Sequence, residues 1–342
     1  MDIGIVGGSG YAGAELLRLC AAHPVFKVRT VAGASAAGRG LAEVFPHLSG
    51  HVGLPDDIVP VEIDGLAACD VVFLATPHEV SLELAPRLMA EDVLVVDLSA
   101  AFRLTPELFS RYYGAVHTAA DLTPAAYGLP ELFRARLPGA RLVAVPGCYP
   151  TAALLALAPL AGLVDPMAVV IAGMSGTSGA GKALRDDLHA SHAIGNVAPY
   201  ASPGHRHTPE IEAGWSALTG SADPAAVTFT PHLLPMPRGL LCTVVAPAMA
   251  PVPDIRAHLV ARYADEPCVT VSVQGTWPQT AHVVGSNAAH VTAAYDERTG
   301  NVTAACAIDN LTKGAAGQAI QAANVVLGLP ELAGLPLAGV YP

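Results

Sequence analysis

Charge is scarce in this chain, and patterned cysteine is absent. Charged residues make up 14 % of 342 positions and hydrophobic ones 52 %, a balance that supports a large core and excludes a disordered chain. Acidic residues outnumber basic ones 29 to 18, for a formal net charge of -11, and no basic run stands out. Nucleic acid and anionic membrane surfaces are therefore not expected as partners. A few local arginines can still hold a small anion. The six cysteines, Cys20, Cys69, Cys148, Cys242, Cys268 and Cys306, form no C-x-x-C pair and no zinc-type spacing. Free thiols in a reducing compartment follow. No apolar stretch reaches membrane-spanning length without Gly, Pro or charge interruptions, and Met1–Val6 reads as a strand rather than a charged leader. No fixed-period repeat or low-complexity linker is visible. The expectation is a soluble cytoplasmic protein long enough for two domains.

What is present begins with a glycine turn. The strand-like Ile3-Gly4-Ile5-Val6 runs into Gly7-Gly8-Ser9-Gly10-Tyr11-Ala12-Gly13, and a helical pattern follows from Ala14 to Cys20. Gly8, Gly10 and Gly13 satisfy G-x-G-x-x-G, and Gly7 offers a second register. Alone such a motif is weak and describes many surface turns. Between an N-terminal strand and a helix it reads as a dinucleotide-binding turn, with the pyrophosphate resting on the helix N-terminus. A second strand, Val28–Ala32, lacks the terminal carboxylate that holds the ribose of NAD. It leads instead to Ser35 and Arg39, which favours the 2′-phosphate of NADP. Arg39 pointing into solvent is the plain alternative.

Two continuous apolar strands follow, Asp70–Ala75 before Thr76-Pro77-His78, and Val93–Leu98 before Ser99-Ala100-Ala101-Phe102-Arg103. Such runs, with helices between them, mark a parallel sheet covered on both faces. Ligands lie beyond the carboxyl ends of these strands, which places Pro77, His78, Ser99 and Arg103 near a crevice, with His78 read as a plain loop histidine before a catalytic one.

Pro146-Gly147-Cys148-Tyr149-Pro150-Thr151 reads as strand, turn and helix start. A thiol at a helix N-terminus is favoured as thiolate, and first-turn N–H groups can stabilise an oxyanion. A buried structural cysteine is the bland reading of any single thiol. Past Cys148 the pattern changes. Val169–Ala172 enters a second glycine-rich loop, Gly173 to Lys182, which is not a Walker loop because Lys182 precedes Ala183. Alternating strands then suggest a mixed or antiparallel sheet, and residues 309–327 suggest an Ala-rich helix. Gly204-His205-Arg206-His207-Thr208-Pro209-Glu210 supplies two imidazoles and a carboxylate. No third metal ligand is recognisable nearby, so no metal is expected. A general acid/base beside the thiol is the sharper reading, with Glu210 one helical turn past His207 to orient it or relay protons.

Together these segments resemble the N-acetyl-γ-glutamyl-phosphate reductases, relatives of aspartate-semialdehyde dehydrogenase. The likeness also covers Tyr127-Gly128-Leu129-Pro130-Glu131, Gly176-Thr177-Ser178-Gly179-Ala180-Gly181, Pro231–Gly239 and Asp309–Gln318. Ala101 departs from a common Asp. The resemblance implies an α/β fold: a discontinuous Rossmann-type, doubly wound NADP domain (1–147 and 308–342) and an α+β catalytic and oligomerisation domain (148–307). It implies reduction of an acyl phosphate to an aldehyde through a thioester on Cys148, with His207 or His205 as acid/base. Gly7, Ser9, Gly10, Tyr11, Ala12, Gly13, Ser35, Arg39, Pro77, Ser178, Gly179 and Asn310 would hold NADP(H). Arg103 would grip substrate, with Ser99, Arg206 and Arg238 as further candidates, and the protein would be a homo-oligomer, dimer or tetramer. A reductase of carrier-bound aminoadipyl phosphate, another cysteine-dependent semialdehyde dehydrogenase and a non-catalytic NADP sensor share parts of this pattern.

Overall fold

The computed structural model describes residues 1–51, 53–123, 125–220 and 224–341. Its backbone divides into two units, Met1–Pro146 with Ala315–Leu335, and Gly147–Gly314 with Pro336–Pro342.

The first unit opens with β1 (Asp2–Val6), α1 (Tyr11–Ala21) and β2 (Lys27–Ala32). It continues through α2 (Leu41–Val44), α3 (Ile63–Ala67), β3 (Val71–Leu74), α4 (His78–Ala90) and β4 (Leu94–Asp97). Then come α5 (Pro106–Tyr113), β5 (Ala126–Tyr127), α6 (Pro130–Phe133) and β6 (Leu142–Ala144). The strands form one parallel sheet, β2-β1-β3-β4-β6-β5. β2 and β3 flank β1 on opposite sides, so the switch point of the topology lies at the end of β1, where the glycine turn begins. Both faces are covered, which explains the uninterrupted apolar strands. Ile3, Ile5 and Phe73 pack with Leu16, Leu17 and Ile320, while Val6, Val72, Leu74 and Val95 pack with Leu82, Ala85 and Leu88.

The second unit starts at α7 (Cys148–Leu157), followed by β7 (Val169–Gly176), α8 (Ala190–Ala193), β8 (Ala198–Pro199) and α9 (Thr208–Thr219). Next are β9 (Val227–Leu234), β10 (Leu240–Pro247), α10 (Ile255–Tyr263), β11 (Val269–Val271), β12 (Ala289–Asp296) and β13 (Asn301–Ile308). The seven strands make a mixed sheet, β11-β12-β13-β10-β7-β9-β8. α7 is buried from Tyr149 to Leu157 and packs on β10, β13 and α9. The opposite face is less covered: Val170 is 50 % exposed, and Ala172, Met174, Thr243 and Val245 are half-buried.

Two sequence expectations change. Gly173 to Gly176 belongs to β7 rather than to a loop. A Cβ at Gly173 would lie 2.5 Å from Tyr149 Cε1, so glycine there makes room for the ring rather than for a turn. The C-terminal helix α11 (Gly317–Val326) begins only after a π-helical turn, Thr312–Ala316. α11 packs on α1 in the first unit. Its polar residues are buried: Gln318 Nε2 donates to Gly128 O at 2.6 Å, and Gln321 Nε2 to Glu131 Oε1 at 2.7 Å. Among the described residues no helix is long and apolar enough to cross a membrane, and no group of three potential metal ligands occurs.

Candidate active site

Cys148 is the first residue of α7, and of the six free cysteines it alone is not buried. Pro150 is the third helical residue and brings no N–H, so it fits without breaking a bond. The preceding Gly147 donates its N–H to Glu210 Oε1 at 2.9 Å, and its carbonyl accepts from Thr151 N–H at 2.9 Å. Glu210 is 2 % exposed and lies in the first turn of α9. Gly314 closes the other side, where a Cβ would stand 2.8 Å from Cys148 Cβ. Cys148 is thus held between the start of α9 and the turn before α11.

Tyr149, the next residue, carries the histidines. Its ring meets His205 and His207 edge-on, with centroids 5.8 and 6.1 Å away, and the two imidazoles are 4.9 Å apart. Tyr200 donates its hydroxyl to Tyr149 at 3.2 Å, and Tyr149 donates to the carbonyl of His232. Burial pushes the Tyr149 phenol far up and that of Tyr200 up to about 12, so both stay neutral donors. The imidazoles are not equivalent. His205 Nδ1 accepts the N–H of His207 at 3.1 Å, and burial, aided by the Arg206 charge, pulls its pKa down to about 4. His207 caps α9 and is buried, while Arg206 is exposed.

A second cluster gathers residues from distant parts of the chain. Asn310 accepts from Gly239 N–H at 2.8 Å and donates to Ser178 Oγ at 2.9 Å. Gly179 sits where a Cβ would meet Ser175 Oγ at 2.7 Å and Asn310 Nδ2 at 3.7 Å. Ser178, Gly179 and Asn310 are therefore together. Arg238 is otherwise engaged. Its Nε and Nη2 grip the fully buried carboxylate of Asp309 at 2.9 and 3.0 Å, and Nη2 also donates to Thr312. Asp309 further accepts the N–H groups of Gly285, Leu311 and Thr312. No motif marked Asp309 as a hub, because its cation lies 71 positions away.

In the first unit the glycine turn is shaped by sterics. Gly7 has φ +82°, and a Cβ there would collide with the Ala75 carbonyl. A Cβ on Gly8 would come within 2.5 Å of Val31 Cγ1, and one on Gly13 within 2.5 Å of Gly7 O. At Gly10, the N-cap of α1, the nearest atom would be 3.6 Å away. Three of these glycines are closed in by the protein, and at the fourth a Cβ would be in ordinary contact. Ser9 follows at the same turn, Tyr11 is 41 % exposed, and Ala12 is half-buried on α1. Ser35 and Pro77 are exposed, and Arg39 lies against Glu43 at 2.5 Å with both side chains more than half exposed.

At the ends of β3, β4 and β6 lies a network the sequence did not announce. Buried Asp97 accepts from Ser81 Oγ and Ser99 Oγ, each at 2.7 Å, and from Ser99 N–H at 3.2 Å. Ser99 Oγ also accepts from Ala101 N–H, so its hydroxyl is committed inside the protein. Burial raises the pKa of Asp97 despite these bonds. Arg103 donates Nε to Val145 O and Nη2 to Leu98 O, both at 2.7 Å, which fixes its guanidinium between the ends of β4 and β6.

Residues 2–140 match the semialdehyde dehydrogenase NAD binding domain, and residues 148–310 match the semialdehyde dehydrogenase dimerisation domain. The N-acetyl-gamma-glutamyl-phosphate reductases of Acidothermus cellulolyticus and Streptomyces avermitilis are each 48 % identical, over 99 % of this chain and 99 % of theirs. That of Alkalilimnicola ehrlichii is 44 % identical over the full length of both chains. Among solved structures, aspartate semialdehyde dehydrogenase II of Vibrio cholerae, complexed with ASA, superimposes with a TM-score of 0.74 at 16 % identity, covering 96 % of this chain and 98 % of that one. The Candida albicans aspartate semialdehyde dehydrogenase with NADP gives 0.63 at 16 % identity, over 95 % and 98 %. At that identity the structures share the fold.

Proposed function

The chain belongs to the N-acetyl-gamma-glutamyl-phosphate reductase family, and from that premise we propose that it reduces N-acetyl-γ-glutamyl phosphate to N-acetyl-glutamate 5-semialdehyde, releasing phosphate, in arginine biosynthesis. The observation that carries this is the lone accessible thiol at the start of α7, with two imidazoles packed on the very next residue.

Cys148 Sγ attacks the acyl carbon, the C–S bond forms, and the C–O bond to phosphate breaks to leave a thioester. His207 takes the thiol proton at the start and returns one to sulfur at the end. His205 is the poorer base: its Nδ1 is already an acceptor, and a pKa near 4 leaves little affinity for a proton near pH 7. Its task is to hold the His207 backbone. The clearance at Gly10, where the helix start has no side-chain cap, fits a pyrophosphate. Gly7, Ser9, Gly10, Tyr11, Ala12 and Gly13 would bind it there, with Ser35 and Pro77 at the rim and Arg39 for a 2′-phosphate once it leaves Glu43. Ser178, Gly179 and Asn310 would meet the nicotinamide end. Held by these residues, NADPH would supply hydride for the thioester on Cys148. Arg103, fixed by two carbonyls, is our choice for the substrate's anionic group, with exposed Arg206 second. Arg238 and Ser99 instead hold Asp309 and Asp97.

The half-covered face of the mixed sheet lies within the segment matching the dimerisation domain, and we assign it to self-association, as a dimer or a tetramer. Six cysteines outside any disulfide suit the cytoplasm.

The test is the reverse reaction. Purified protein with phosphate and NADP should form NADPH with N-acetyl-glutamate 5-semialdehyde, and at least about 100-fold less efficiently with aspartate or aminoadipate semialdehyde. Preference for either of those would overturn the assignment.

A further inference from the structure

The last register pair between β10 and β13 joins Leu240 to Ile308. Just past it, two consecutive residues of one segment hold two consecutive residues of the other. Arg238 closes on the fully buried carboxylate of Asp309 through Nε at 2.9 Å and Nη2 at 3.0 Å, and Gly239 N–H donates to Asn310 Oδ1 at 2.8 Å. We propose that Arg238 is a positioning residue: through Asp309 it sets the turn from Asp309 to Gly314, and that turn fixes Cys148. The proposal rests on Cys148 being the nucleophile.

Each link is short. Arg238 starts from a rigid base, because Gly176 N–H donates to Gly239 O and Thr177 N–H to Met236 O, both at 2.9 Å, where β7 ends. A bidentate guanidinium pair fixes orientation as well as distance. Asp309 then organises the turn. Its Oδ1 accepts the N–H groups of Leu311 and Thr312 at 2.8 and 3.0 Å, and Oδ2 accepts that of Gly285 at 2.6 Å. Arg238 Nη2 adds a bond to Thr312 Oγ1 at 3.0 Å. The turn closes where Gly314 N–H donates to Asp309 O at 2.8 Å, the wide i→i+5 spacing of a π-turn. Gly314 is packed on the start of α7: a Cβ there would stand 2.8 Å from Cys148 Cβ and 3.3 Å from Cys148 Cα. Close-packed interiors transmit strain, so a shift of the turn is passed to the carbon that carries the sulfur. Asn310, near the turn's other end and bonded to Ser178 Oγ at 2.9 Å, moves with it. A buried carboxylate stripped of its cation would not keep this arrangement.

Reverse-reaction kinetics separate positioning from substrate binding. R238K keeps a cation for Asp309 and loses the fork. It should lower kcat about 100-fold, the cost of misplacing a reacting group by about 1 Å. KM for semialdehyde and phosphate and Kd for NADP should each change less than about threefold. D309N, which keeps the side-chain shape, should show the same split, and retained far-UV circular dichroism marks both variants as folded. Because Arg238 and Gly314 act through one turn, R238K combined with G314A should lose about as much as the worse single variant. A KM raised at least about tenfold in R238K with kcat held within about threefold would make Arg238 a substrate-binding residue and overturn the proposal. An unchanged kcat, or losses that multiply in the double variant, would overturn it too. Whichever semialdehyde proves to be the substrate serves in this assay, and covalent modification of Cys148 is read independently by mass spectrometry, so a failure here is distinct from a failure of the assigned reaction.

Discussion

Protonating His205 would place a charge among the rings of Tyr149, Tyr200 and Phe229 and remove the acceptor that holds the His207 N–H. Its folded pKa, about 4, lies below the unfolded value of 6.5, so folding favours the neutral form. That contribution is fully present above pH 6.5 and drains away as pH falls toward 4, at most about 3 kcal/mol. His23 and His290, also depressed by burial, act in the same direction. Urea unfolding at pH 7.5 and 4.5 should therefore show a smaller pH loss in His205→Asn than in the parent; an unchanged loss would contradict the buried, neutral imidazole. Cys148→Ser should lose at least about 1000-fold in turnover and still bind NADP, as isothermal titration would show. The motif put both histidines in view. Only the Nδ1 bond and the lowered pKa of His205, invisible in a spacing of two, tell them apart.

At the scale of elements, glycines have two different uses that composition cannot separate. Gly173 and Gly214 let β7 and α9 close on α7, where a Cβ would stand 2.5 Å from Tyr149 Cε1 or Leu154 Cδ1. Alanine at either should cost about 1–3 kcal/mol in chemical denaturation by overpacking. Gly10→Ala meets no such wall. It should cost about 1 kcal/mol or less in stability, yet weaken NADP binding at least about tenfold, because the cost falls on the approach to the helix end. Intact cofactor binding in Gly10→Ala would refute the proposed turn. The parallel sheet was legible because strands buried on both faces leave unbroken apolar runs, as in Val71–Leu74 and Leu94–Asp97. The buried polar junctions were not. Asp97 needs Ser81, and Asp309 needs Arg238, partners that no local pattern brings together.

The whole chain reads as two units, and the proposed site residues are found in each. The thiol and its histidines lie in the second, and the glycine turn and Arg103 in the first. The change of pattern at Cys148 was visible because alternating strands and helices give way there to period-two strands. Which piece of the C-terminal segment joins which unit was not, since residues 309–316 carry a π-helical turn instead of a continuous helix. Self-association is tested on the open sheet face: Val170→Glu with Met174→Glu should reduce the mass found by light scattering to that of one chain while far-UV circular dichroism is retained. An oligomer that survives both charges would place the interface elsewhere.

The most direct measurement is mass spectrometry of the protein mixed with N-acetyl-glutamate 5-semialdehyde and NADP in the absence of phosphate. Without phosphate to accept the acyl group, about one NADPH per chain should form, and an N-acetylglutamyl adduct should sit on the peptide containing Cys148. NADPH produced with that peptide unmodified, or with the acyl group on another residue, would contradict covalent catalysis at this sulfur.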